Sequence, residues 1–108
     1  MDLTPKQAAL LQCLYGLGFE FVAFPVYPNY IGVRRGHCAA LLEPVSSGTF
    51  RIFGEPAYLV DGNLSAKITL DGHDYFIWKK QKLEATALRR GELSLFAEEL
   101  SEALLQIT

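Results

Sequence analysis

"LSAKITLDGHDYFIW", residues 64–78, decides the fold. Leu64, Ala66, Ile68 and Leu70 alternate with Ser65, Lys67 and Thr69, the period of a strand with one buried face. Asp71-Gly72 is a favoured pair for a two-residue type I′ turn, in which both positions need positive φ. That turn sets a register with Leu70 opposite His73, Ile68 opposite Tyr75 and Ala66 opposite Ile77. The aliphatic row then reads as the buried face. Phe76 and Trp78 fall on the other, nominally polar face, beside Lys67 and Ser65. Two large aromatics there need a cover, which a helix of the same chain, a ligand or a second subunit could supply.

Upstream, turn residues recur at short intervals: Pro28-Asn29, Arg35-Gly36, Ser46-Ser47-Gly48, Gly54-Glu55-Pro56 and Asp61-Gly62-Asn63. This rhythm predicts a curved antiparallel meander of roughly five to seven strands with short connections. The first strand, "FEFVAF" at residues 19–24, is apolar on both faces except at Glu20, so it is expected to be covered on two sides.

Helices are expected at both ends. Thr4, Pro5 and Gln7 form a capping box with proline at the first helical position, and Leu10, Leu14 and Leu17 make a stripe behind them. The spacing predicts a helix over residues 5–15, ended by Gly16 or Gly18. Near the C-terminus, Leu93, Phe96, Leu100, Leu104 and Ile107 recur at helical spacing. Arg89-Arg90-Gly91 resembles a helix end, so this segment reads either as one helix or as two with a break at Gly91. The fold class is therefore α+β, a single domain with helices packed on the sheet.

Composition narrows the function classes. The chain has 108 residues, half of them apolar, with a formal charge of −2. That charge gives no support for nucleic acid or an anionic membrane as partner. No apolar run reaches the length of a membrane span, and "MDLTPKQAAL" has no basic start followed by an apolar core. The reading is cytoplasmic, with Cys13 and Cys38 reduced and buried.

Residues 27–38, "YPNYIGVRRGHC", hold the most chemically suggestive types in the chain. Gly36 supplies a hairpin turn, with Arg34 and Arg35 solvated beside it. His37 and Cys38 are adjacent in a strand on this reading, and point to opposite faces, so they do not form a catalytic dyad. Tyr27 and Tyr30 flank the Pro28-Asn29 turn, within reach of the two arginines. Tyrosine and arginine are enriched in binding hot spots, which makes this a candidate partner edge, and the pattern fits equally well tyrosines that pack across a strand pair. Neither a nucleotide fingerprint nor a hydrolase or metalloprotease motif is present, and no cofactor or metal is called for.

The favoured functional reading is a non-catalytic interaction module. It would self-associate as a homodimer, or bind a protein partner, through the aromatic sheet face and the amphipathic C-terminal helix. Its candidate binding residues are Tyr27, Tyr30, Arg34, Arg35, Phe76, Trp78 and Lys80. The alternative is a small-molecule pocket between sheet and helices, enzymatic in one version, with His37, His73 and Arg51 as its first polar groups. A third reading places single-stranded nucleic acid on Trp78 and the basic run Lys79, Lys80, Lys82, Arg89 and Arg90.

Overall fold

A computed structural model describes residues 3–46 and 48–106. Helix α1 (Pro5–Gly16) starts as the sequence predicts. The Thr4 hydroxyl accepts from the Gln7 amide at 3.1 Å, and Gln7 Oε1 accepts from the Thr4 amide at 3.0 Å. Gln7 has a second task. Its Nε2 donates to the carbonyls of Val45 and Thr49, both at 3.2 Å, from a side chain that is buried. The helix start is thereby tied to the closed end of a hairpin 38 or more positions away. Gly18, at φ 95°, ends the helix, with the Phe19 amide donating to the Leu14 carbonyl and the Gly18 amide to that of Tyr15.

Five strands form one antiparallel sheet in chain order: β1 (Glu20–Val22), β2 (Ile31–Arg35), β3 (Cys38–Val45), β4 (Thr49–Val60) and β5 (Asn63–Leu64). A second, three-stranded sheet contains β6 (Ala66–Leu70), β7 (His73–Trp78) and β8 (Gln81–Glu84). Helix α2 (Ala87–Gln106) closes the chain. The architecture is α+β with helices packed on the sheet, but the single meander divides in two. Ser65 marks the division. Its amide and hydroxyl both donate to the Tyr58 carbonyl, at 3.3 and 2.6 Å, before the chain leaves β4 and projects as a wing. The molecule is correspondingly long, 48 × 25 × 19 Å.

Two expected turns resolve differently, and of the two readings left open at Gly91 the continuous helix is the one found. Gly54-Glu55-Pro56 is no turn but a bulge within β4. Ala39 pairs Ala57 and Leu41 pairs Phe53, so three residues of β4 face Ala40 alone. Gly54 at φ 68° permits this, and Pro56 sits where β4 has no partner on its second side. In the β2–β3 hairpin, Arg35 pairs Cys38, which puts His37 in the turn with Gly36 rather than in a strand. Helix α2 runs unbroken through Gly91, starting at Thr86, whose hydroxyl accepts from the Arg89 amide at 3.2 Å. Ser47 and Ile107, used in the sequence reading, lie outside the described residues.

The strand β3 is buried on both faces, and its alternation separates two apolar clusters. Cys38, Ala40 and Leu42 face the helices, with Leu14, Phe19, Val33, Phe96 and Leu100. Ala39 and Leu41 face the opposite side, where Phe24 folds over them, with Val22, Tyr30, Leu59 and Leu64 around it. The chain after β1 doubles back for this purpose, so β1 is shorter than residues 19–24. Gly32 allows the fold-over. A Cβ there would lie 2.2 Å from the Val22 carbonyl oxygen and 2.7 Å from the Phe24 ring.

The wing has the register read from Asp71-Gly72: Leu70 pairs His73, Ile68 pairs Tyr75 and Ala66 pairs Ile77. Asp71 and Gly72 take φ values of 50° and 79°. The buried face, however, is the opposite one. Phe76 is in the main core, 1 % exposed, and Trp78 and Leu83 pack against that core. Ala66 is exposed, Leu70 is 44 % exposed, and Ile68 is only half-buried. The two aromatics prevail over the aliphatic row because they carry more apolar surface, and Phe76 stacks on Tyr58.

Candidate functional site

The groups suited to chemistry fall in different places among the described residues: Cys38, His37, Tyr58 and Glu92 lie near the β2–β3 turn, and His73 and Arg51 lie elsewhere. Cys38 is 2 % exposed, and its thiol is pushed up from 9.0 to about 11, first by burial and then by the Glu92 carboxylate. It is a poor source of thiolate. His37 stacks on Tyr58, ring centroids 5.8 Å apart, with Nδ1 3.6 Å from Glu92 Oε2 at an exposed turn. Burial also raises the Tyr58 phenol. His73 lies at the wing's far turn, and Arg51 is held by Glu43 at 2.7 Å, so the three polar groups expected around a pocket stay apart. No three His, Cys, Asp or Glu side chains among the described residues gather as a metal site. Cys13 is exposed, contrary to the expectation that both thiols are buried, because it lies off the Leu10–Leu14 stripe of α1.

The two arginines part company. Arg34 lies on the face turned from the helices and pairs with Glu20 at 3.3 Å in solvent. Arg35 is not simply solvated. Its guanidinium covers the Phe19 ring at 4.4 Å and donates to Glu99 Oε2 at 2.6 Å, linking β2 to α2. Arg89 likewise turns inward, donating to the Glu84 carbonyl at 2.8 Å. Arg89 is thus engaged with the chain's own backbone, whereas no ion pair among the described residues includes Lys79, Lys80 or Lys82.

Aromatic residues do converge on the face away from the helices. Tyr27 and Tyr30 are joined across their turn, edge to face at 6.5 Å. Tyr30 stacks on Phe53 at 4.2 Å. Tyr27 and Phe53 form part of the lining of a groove of about 440 Å³ that also takes in Leu41, Ala66, Ile77, Trp78 and Lys79. One wall is the outer face of the five-stranded sheet, and the other is the base of the wing. Beyond Ile77, the wing's uncovered face carries Ile68, Tyr75 and Leu70. Lys82 stands over the Tyr75 ring at 4.8 Å.

Of the candidates read from sequence, Tyr27 and Trp78 meet in this groove, and Tyr30 supports it through Phe53. Lys80 lies in the exposed turn joining β7 to β8. Phe76 takes part in the core instead. Phe53 and Ile77 were not legible as site residues, and Lys79 was read only as part of the basic run of the nucleic-acid alternative. Phe53 sits beside the unforeseen bulge.

Compared with protein-family models, with curated proteins and with solved structures, the chain finds no match in any of the three.

Proposed function

We propose that the protein is a non-catalytic interaction module that receives an extended segment of a protein partner in the groove between sheet and wing. One observation supports this most: Tyr27, Phe53 and Trp78 line an open groove that runs into a sheet face left uncovered by the chain's own helices. Contiguous exposed apolar surface of this kind marks docking sites. Aromatic side chains with one polar end are the usual anchors there. Two free cysteines fit a reducing, cytoplasmic setting, and no described helix is long and apolar enough to cross a membrane.

Self-association is the second reading, now moved to the wing's outer face. Phe76 is covered within the chain, so it gives no reason for a dimer. Leu70 and Ile68 do, since β6 has the alternation of a half-buried strand and its apolar side faces outward. Lys82 and Glu84 share that face, opposite Ile77 and Tyr75, and two copies packed about a two-fold axis could pair them.

The test is selection from a random peptide display library on the folded protein. The result expected is a set of binders that fail on the double variant Tyr27→Ala/Phe53→Ala while its thermal unfolding stays two-state. Binders that hold equally to both proteins would place docking elsewhere. Concentration-dependent dimerisation abolished by Leu70→Lys would favour the second reading.

A further inference from the structure

We infer that the segment taken by the groove is acidic, an extended peptide with carboxylate side chains beside its apolar anchors. This rests on the groove being the docking site. Lys79 has a φ of 53°, a conformation that glycine and asparagine adopt at little cost and lysine does not. Among the described residues, the other two non-glycine residues at positive φ, Asp61 and Asp71, precede glycines in ordinary two-residue turns. Lys79 precedes Lys80, so turn geometry alone does not explain the residue chosen. What the conformation achieves is placement. The ammonium lies 5.4 Å from the centre of the Trp78 ring, and Lys79 lines the groove.

Lys80 follows in the same turn, and Lys82 pairs across the strands with Ile77, another groove residue. Among the described residues, no ion pair includes Lys79, Lys80 or Lys82, whereas Arg34, Arg35, Arg51 and Lys67 are each paired with a carboxylate. Lys79 thus lines the groove without an ion pair, and Lys80 and Lys82, likewise without one among the described residues, follow it on the same hairpin. Among the described residues, Glu55 is the only carboxylate lining the groove, at the β4 bulge. An acidic side chain entering beside Lys79 would gain charge complementarity that a neutral segment would not.

Nucleic acid fits the same charges less well. Bases need free aromatic faces, and here Lys79 stands over Trp78, Lys82 over Tyr75 and Phe53 against Tyr30. Each ring already has an internal partner.

The experiment compares the peptides selected above by charge, then measures two resynthesised binders, one richest in Asp and Glu and one neutral. Binding is measured by fluorescence anisotropy at low and high salt. The variant is Lys79→Gly/Lys80→Gln/Lys82→Gln, in which glycine suits the backbone at 79. The inference expects enrichment of acidic over basic peptides. It also expects affinity for the acidic binder to fall about tenfold in the variant and in high salt, with the neutral binder little changed. Binders that require Tyr27 and Phe53 but show no acidic bias would overturn the inference and leave the docking site standing. An absence of binders that require those two residues would overturn both. Tighter binding of an oligothymidylate than of any acidic peptide would assign the lysines to nucleic acid instead.

Discussion

The Phe76 ring lies parallel to that of Tyr58, with centroids 5.0 Å apart and 11° between the planes. This stack joins the wing to β4 and turns the aromatic side of β7 into core. It also decides which face of the wing is left for other uses. Phe76→Ala should therefore act on stability. A loss of about 3–5 kcal/mol is expected in urea unfolding. A loss under about 1 kcal/mol would mean that the wing is not anchored there.

Gly32 and Gly91 should respond oppositely to alanine. At Gly32 a Cβ would meet the Val22 carbonyl oxygen at 2.2 Å, so Gly32→Ala is expected to cost about 1–3 kcal/mol or more. At Gly91, within α2, nothing lies within 4 Å, and Gly91→Ala should stabilise by about 1 kcal/mol. Paired denaturation curves check both signs.

Gln7→Ala removes the reciprocal cap on Thr4 and leaves the carbonyls of Val45 and Thr49 without their side-chain donor. The expected cost is about 1–3 kcal/mol. Thr4→Ala, which removes the cap but leaves Gln7 free to hold the hairpin, should cost only about 1 kcal/mol. Equal losses in the two variants would contradict the second role of Gln7.

The Cys38 thiol provides a pH test. Its folded value, about 11, lies above the ordinary 9.0, mainly because burial disfavours the thiolate. The native state thus keeps a proton that the unfolded chain releases first. Stability from this group is intact below pH 9 and declines as the pH rises toward 11. Wild-type protein should lose more stability than Cys38→Ala across that interval. At pH 8, a thiol reagent should label Cys13 at once, and Cys38 only on unfolding.

Much of this architecture was legible because local chemistry dictated it. Thr4-Pro5-Gln7 fixed a helix start, and Asp71-Gly72 fixed a register without reference to the rest of the chain. The first strand was legible only in part: Phe19 and Phe24 are buried on either side of it, but within β1 Glu20 and Phe21 are exposed, Phe21 at 39 %, so the strand is not covered on two sides as expected. What escaped were choices made by tertiary packing. Alternation along β6 and β7 defines two faces but not which one meets the core, and Tyr58 settled that from a distant strand. Gly54 and Pro56 are as suited to a bulge as to a turn, and only the pairing with β3 separates the two. The groove was half legible. Tyr27 and Trp78 stood out as aromatics in need of a role, while Phe53 reached them only through the bulge.

The most direct measurement of the docking site uses Trp78, the one tryptophan in the chain, as its own reporter. A selected peptide binder, free of tryptophan, is titrated into the protein while emission and peptide anisotropy are followed together. The predicted result is a saturable shift of Trp78 emission that tracks the anisotropy curve and disappears in Tyr27→Ala/Phe53→Ala. Saturable anisotropy with unchanged emission would contradict it, because the peptide would then be bound away from the groove.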